Sequence, residues 1–151
     1  MRQFSSAVRT SATAATANIA GAGLWNPGTR AIWLNQISWF KTVATADNIA
    51  VLRNSARGTA TNLAAVQSND HDYMGAPFST AGVDVAYTVQ PTLVSATAYL
   101  FRAHMGAAVG AGFIWNVPGL GIEIPPGAGI VLVTPPATVL QPADCTFVWT
   151  E

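Results

Sequence analysis

Residues 122–136 of this 151-residue chain, IEIPPGAGIVLVTPP, carry the pattern that decides its fold. Two short apolar runs are separated by a Pro-Pro-Gly turn, and a second proline pair follows the longer run. Proline presets the backbone for a turn and cannot donate to a sheet ladder, so each pair marks the end or edge of a strand. Short apolar runs bounded by turn residues predict β-strands in a sandwich or barrel.

Turn residues separate short apolar runs through most of the chain. Residues 144–150 alternate, with Cys145, Phe147 and Trp149 on one face, and residues 83–89 alternate in the same way. Two further strands are predicted over residues 93–104 and 112–117. Nine prolines and 13 glycines fall mostly between the apolar runs, and no segment has a sustained helical period. About eight strands result, which is the number in a jelly roll. The prediction is an all-β, jelly-roll-like β-sandwich.

The first 23 residues differ in composition from the rest. They are rich in Ala, Thr and Ser, as in SATAATA at residues 11–17, and contain few large apolar side chains. Two interpretations stay open: a disordered leader, or an extended arm that orders against a neighbouring subunit. The predicted organisation is an N-terminal arm over residues 1–23 and a sandwich domain over residues 24–151.

A long apolar run at residues 31–42 predicts a strand with large side chains on both faces. One face would carry Trp33, Ile37 and Trp39, and the other Ile32, Leu34 and Phe40. A single sandwich covers one face of such a strand, so a neighbouring subunit or the arm is expected to cover the second. The predicted contact residues are Trp25, Trp33, Ile37 and Trp39.

Charge is scarce, which limits the classes of partner. Charged residues make up 9% of the chain, with seven basic and seven acidic side chains and a formal net charge of zero, against a typical share of about 25%. The basic residues are scattered, so no nucleic-acid partner is expected. Few charges protect a lone monomer poorly against self-association, which favours an oligomer or a large assembly.

The sequence predicts neither secretion nor membrane insertion. Its N-terminal residues lack the apolar run of a secretory signal. The least polar stretch, residues 105–122, is broken by five glycines, Asn116 and Pro118. The single cysteine, Cys145, excludes an intrachain disulfide and is interpreted as a buried core thiol. The chain is therefore expected to be made in a cytoplasm and to stay soluble until it assembles.

Catalytic motifs are missing, so the chain is predicted not to be an enzyme and to need no cofactor. No Gly-x-Ser-x-Gly elbow, Walker motif or dinucleotide fingerprint occurs. His104 is interpreted as a surface or interface histidine. Asp84 and Glu123 are conceivable as paired carboxylates, but nothing in the sequence brings them together.

One dense polar cluster, Asp70-His71-Asp72, is the best single metal candidate. Two carboxylates beside an imidazole could bind a divalent ion. The spacing matches no established metal loop, so a solvated loop is the favoured interpretation.

Three stretches together suggest a family. Residues 121–133, GIEIPPGAGIVLV, the C-terminal FVWTE and the Trp25-Asn26-Pro27 turn resemble small structural proteins of tailed bacteriophage particles. The resemblance spans residues 24–151. It implies a jelly-roll-like domain that decorates or cements the capsid, or that builds part of the tail.

This resemblance sets the functional expectation. The chain would form homotrimers or homodimers on the capsid surface and stabilise the phage head by bridging major capsid subunits. The alternative is a tail, fibre or head-fibre component with a carbohydrate- or receptor-binding sandwich. A sandwich adaptor unrelated to any virus is the third hypothesis.

Overall fold

The computed structural model describes residues 1–11, 19–60, 69–70, 79–135 and 139–151, with the backbone alone for residues 69–70. Its described part is built of antiparallel strands without a helix, which confirms the all-β prediction. No helix of that part is long and apolar enough to cross a membrane. The strands are β1 (Gln3–Arg9), β2 (Ala20–Asn26), β3 (Ile32–Lys41), β4 (Asp47–Ala56), β5 (Thr59–Ala60), β6 (Asn69–Asp70), β7 (Gly82–Val85), β8 (Tyr87–Val89), β9 (Thr92–Leu93), β10 (Phe101–Met105), β11 (Gly112–Asn116), β12 (Ile122–Ile124), β13 (Ala128–Val133) and β14 (Ala143–Thr150).

Two sheets enclose the main core. Sheet A has the order β11-β3-β14-β1-β6, with β12 also paired to β3. Sheet B has the order β10-β4-β13-β2-β7, with β9 also paired to β4, and β5 pairs with β8 in a small separate ribbon. Both sheets contribute fully buried side chains to one apolar cluster, since alternate residues of each strand face inward. Its largest members include Trp39, Trp149, Phe147, Leu24, Ile49 and Ile130.

The N-terminal residues belong to the sheets, so the prediction of a separate arm over residues 1–23 is wrong for the described positions. Strand β1 pairs with β14 along its whole length, from Gln3 opposite Thr150 to Arg9 opposite Asp144. Residues 20–23 open β2, which pairs with β13 and β7. The prediction took the small side chains of this region as a sign that it lies outside the core. A strand can, however, be held in a core by as few as two apolar residues.

A β-bulge changes the interpretation of strand β3. Val148 of β14 pairs with Gln36, whereas the next residue, Trp149, pairs with Leu34, so Asn35 is an extra residue in β3. The bulge shifts the alternation by one position and returns the later apolar residues to the core face. The inward residues are therefore Ile32, Leu34, Ile37 and Trp39, each 0% exposed. The predicted face of Trp33, Ile37 and Trp39 is therefore wrong, because Ile37 and Trp39 lie in the core. Trp33 and Phe40 are the large apolar side chains on the outer face of β3.

The strands that are buried on both faces lie in sheet B. A second cluster on the outer side of β4 and β13 contains Ala50, Leu52, Val131 and Val133, all 0% exposed. It is packed against Tyr87, Leu93 and Tyr99 from the segment of residues 86–100. The chain therefore covers its own second apolar surface, and the argument that a partner must cover it no longer holds.

Two predicted strands are interrupted. Residues 83–89 split into β7 and β8 because Ala86 adopts a φ of +54°, which turns the chain from sheet B into the small ribbon. Residues 93–104 were expected to be one strand, yet only β9 and β10 form there. At the sheet edges, Phe101 of β10 stacks on Trp115 of β11 with ring centroids 4.8 Å apart. This contact closes one side of the main core.

Candidate functional site on the outer face of sheet A

The outer face of sheet A is the broad surface that the described part of the chain leaves uncovered. It consists of the outward side chains of β1, β3, β11 and β14, which alternate with the core residues. The face carries Gln3, Ser5, Ala7, Arg9, Trp33, Asn35, Gln36, Ser38, Phe40, Ile114, Asn116, Asp144, Thr146, Val148 and Thr150.

Charge on this face is nearly cancelled. Arg9 and Asp144 form a two-point ion pair, with Nε–Oδ1 and Nη2–Oδ2 distances of 2.6 and 2.8 Å. The hydrogen bonds from Arg9 hold the pKa of Asp144 below its usual value. Glu123, which is exposed and pairs with Trp33, adds a charge at one corner. The other outward side chains of β1, β3, β11 and β14 carry amide, hydroxyl or apolar groups.

Two apolar side chains protrude at one end of the outer face of sheet A. Ile114 is 56% exposed and Phe40 is 37% exposed. Ser38 pairs with Ile114, and Phe40 pairs with Gly112, so the two side chains are diagonal neighbours across β3 and β11. Gly112 has no side chain to cover Phe40. No larger residue fits at this position, because a Cβ there would lie only 2.0 Å from the Trp39 carbonyl oxygen.

The bulge creates a polar depression in the middle of this face. Its volume is about 490 Å³, and its lining includes four carboxamides, those of Gln3, Asn35, Gln36 and Asn116. Asn35 Oδ1 accepts a hydrogen bond from Thr150 Oγ1 at 2.5 Å, and Gln36 Nε2 donates to Asn116 Oδ1 at 2.5 Å. We refer to this feature as the amide pocket.

Trp33 borders a second depression next to the amide pocket. This depression has a volume of about 360 Å³ and is lined by Met1, Arg30, Ala31, Trp33 and Glu151. Trp33 pairs with Thr150, which in turn pairs with Gln3 of the amide pocket. The half-buried indole is therefore two strands away from Gln3 and two residues before Asn35 on the same strand.

The four predicted contact residues do not form one surface. Ile37 and Trp39 are 0% exposed in the core, so their prediction as contact residues is wrong; the bulge is the reason. Trp33 lies on the outer face of sheet A. Trp25 lies on sheet B, where its ring covers Gly129. Of the four, Trp33 alone is available on the outer face of sheet A.

The metal candidates are only partly placed. Asp70 belongs to β6, where its backbone pairs with Phe4, while His71 and Asp72 lie outside the described residues. Within the described ranges, no group of three or more His, Cys, Asp or Glu residues could hold a metal ion.

The remaining titratable residues have structural contacts. His104 Nδ1 lies 2.7 Å from Asn48 Oδ1 on the exposed side of β10. Asp84 is 1% exposed and binds Arg57 through both carboxylate oxygens, whereas Glu123 lies on the other sheet. The paired-carboxylate hypothesis is therefore wrong. Cys145 is 0% exposed, as expected, and burial raises the pKa of its thiol.

Two buried charged side chains, Lys41 and Asp47, lie near the loops at one end of the sheets. Lys41 Nζ donates to the carbonyl oxygens of Thr45 and Gly106. Lys41 therefore links the loop of residues 42–46 to the loop of residues 106–111. Asp47 is 0% exposed; burial raises its pKa to about 6, against the opposing effects of hydrogen bonds from the backbone amides of Asn48 and Gln141 and of the charge of Lys41.

Sequence reasoning missed the amide pocket. The polar pair Asn35-Gln36 inside an otherwise apolar run is the signal that could have revealed the bulge, since the core positions 32, 34, 37 and 39 change phase across it. The contributions of Gln3 and Asn116 come from other strands and carry no local signal. Comparison with known protein families, curated proteins and solved structures finds no match to this chain.

Proposed function

We propose that this chain is a virion structural protein, a capsid decoration or cement protein of a tailed bacteriophage. The observation that carries the proposal is the outer face of sheet A, a broad surface with nearly cancelled charge and two protruding apolar side chains. The sequence resemblance over residues 24–151 gives the setting. In this role the chain has no catalytic function and needs no cofactor.

The strand order supports a jelly roll. In the described part of the chain, eight strands have five or more residues, namely β1, β2, β3, β4, β10, β11, β13 and β14. Numbered one to eight along the chain, they are ordered six-three-eight-one in sheet A and five-four-seven-two in sheet B. This is the interleaved order of two Greek keys in a jelly-roll sandwich. The shorter strands then extend or cover the sheets.

The outer face of sheet A is suited to docking on another protein. Binding would bury Phe40 and Ile114 and would strip few charged groups of water, because Arg9 and Asp144 already neutralise each other. A face of this kind avoids most of the desolvation penalty that charged interfaces carry. The partners proposed are the major capsid protein and further copies of this chain, as a homotrimer or homodimer on the capsid surface after synthesis in the host cytoplasm.

The experiment is particle binding by matched lysine variants. Phage particles of the virus whose genome carries this gene are separated into heads and tails. The purified chain is then co-sedimented with each fraction. Ile114→Lys places a charge on the outer face of sheet A, and Val94→Lys places one at a 63% exposed apolar site in the cover of sheet B. Burying an unpaired charge costs several kcal/mol, so Ile114→Lys should lose at least about tenfold in affinity for heads.

The outcomes separate the hypotheses. Head binding that Ile114→Lys weakens and Val94→Lys leaves unchanged supports the proposal. Binding to tails alone would replace it with the tail or fibre alternative. Binding to neither fraction would favour an adaptor outside any virus.

One observation favours the alternative of a carbohydrate- or receptor-binding component of a tail, fibre or head fibre. The amide pocket is a concave, polar and uncharged feature on an exposed face, as ligand sites often are.

A further inference from the structure

We infer that the amide pocket and Trp33 together form a binding site for a neutral glycan. The inference concerns this chain's own ligand, and it does not depend on whether the chain sits on a head or a tail.

The lining of the pocket limits the chemistry of the ligand. Four carboxamides supply hydrogen-bond donors and acceptors in planar groups, and the remaining lining includes Val117 and Val148. No Lys, Arg, Asp or Glu is among the residues that line it. An anion would find no counter-charge and a metal ion no carboxylate, so a ligand rich in neutral hydroxyl groups fits best.

The carboxamides are held in place before any ligand binds. Asn35 sits at the bulge, where its Oδ1 accepts from Thr150 and its Nδ2 lies 3.4 Å from the Leu120 carbonyl oxygen. The bond between Gln36 Nε2 and Asn116 Oδ1 fixes these two side chains against each other. It leaves Gln36 Oε1 as an acceptor and Asn116 Nδ2 as a donor for a pair of ligand hydroxyls. Groups ordered in advance reduce the entropy lost on binding.

Trp33 supplies the apolar surface that a sugar ring needs. One face of a pyranose presents C–H groups, which pack on an indole while the hydroxyls at the ring edge meet polar side chains. The row Trp33, Thr150, Gln3 runs across three strands, so the indole and the amide pocket share one continuous surface. Arg30 lines the depression beside Trp33 and is not among the residues that line the amide pocket.

The dimensions agree with this assignment. The pocket volume of about 490 Å³ lies within the range of about 300–1,000 Å³ that is usual for small-molecule sites. The site is shallow and open along the sheet, which suits a short stretch of a longer oligosaccharide.

The test is an array of neutral and acidic oligosaccharides probed with the full chain, followed by calorimetry with the best neutral oligosaccharide. Trp33→Ala and Asn116→Ala are the site variants. Trp25→Ala is the matched control, because Trp25 is equally half-buried but lies on sheet B. Thermal unfolding establishes that each variant is folded. If Trp33→Ala does not fold, Asn116→Ala still tests the site, because Asn116 is exposed.

The expected result is binding to neutral glycans that changes little with salt. Both site variants should weaken it at least tenfold, and Trp25→Ala should bind like the parent chain. Binding of acidic glycans alone, no binding on the array, or equal binding by all variants would each overturn the inference. None of these outcomes depends on particle binding, so the glycan site and the capsid role fail separately.

Discussion

Asp47 illustrates how a single buried carboxylate shapes the stability of this fold. It is fully buried at the start of β4, and burial raises its pKa from an ordinary value of 3.8 to about 6, although hydrogen bonds from the backbone amides of Asn48 and Gln141 and the charge of Lys41 oppose the shift. Between about pH 4 and pH 6 the folded chain therefore holds a proton that the unfolded chain has released. Stability should fall as the pH rises through this window and level off above it.

Asp47→Asn removes the cost of this buried charge. The variant should be more stable than the parent chain at pH 8, by about 1–3 kcal/mol, and equally stable near pH 4. Urea unfolding at several pH values measures the difference. Asp144→Asn is the control, since Asp144 is exposed and its loss should change the unfolding free energy by less than about 1 kcal/mol. Parallel pH profiles for Asp47→Asn and the parent would contradict the assignment.

Gly121 is the residue that lets the chain pass close to the bulge. It has a φ of +93°, and a Cβ there would lie 2.4 Å from the Leu34 carbonyl oxygen. Gly119, two residues earlier, has a φ of +70° but open space around its Cα. Gly119→Ala should cost about 1 kcal/mol from backbone strain, and Gly121→Ala at least about 2 kcal/mol more. Equal losses in thermal unfolding would mean that the close approach is unimportant.

At the scale of elements, variants of β1 distinguish a core strand from the N-terminal arm that the sequence predicts. Phe4 is 4% exposed and stacks on Trp149 with ring centroids 6.1 Å apart. Phe4→Ala should lower the unfolding free energy by about 3–5 kcal/mol, because it leaves a cavity in the main core. Ala7→Ser, on the exposed side of the same strand, should have almost no effect. An arm outside the fold predicts an unchanged melting temperature for both variants.

The sequence predicts the elements well where alternation and turn residues coincide. Strands β3, β11, β13 and β14 lie where the apolar runs indicate. The prediction fails for β1, because only Phe4 and Val8 mark its buried face and its partner is at the other end of the chain. It also fails at Ala86, since no local rule calls for a positive φ at an alanine.

The candidate site was predictable only in part for the same reason. A phase shift in the pattern of β3 signals a bulge, but the pocket needs Gln3 and Asn116, which reach β3 through long-range pairing. Trp33 is separated from Ile37 and Trp39 only when the bulge is taken into account, because the bulge places those two residues in the core. Register, which local sequence does not encode, therefore controls which residues share a face.

At the scale of the whole molecule, the shortage of charge has two separate consequences. Lys41, Asp47 and Asp84 are buried, so the surface is even poorer in charge than the composition indicates. The segment of residues 86–100 covers the outer side of sheet B, so the second apolar surface of the chain is buried within the chain itself. The outer face of sheet A is what remains for a partner, and its neutrality is the basis of the proposed docking.

Site-specific labelling of this face tests that claim most directly. The native thiol of Cys145 is buried and should stay silent to maleimide, so Ile114→Cys and Val94→Cys each introduce one reactive site. When the chain is bound to phage heads, labelling of Ile114→Cys should slow at least tenfold relative to the free chain, while labelling of Val94→Cys stays unchanged. Equal labelling of Ile114→Cys in the free and head-bound chain would contradict docking through the outer face of sheet A.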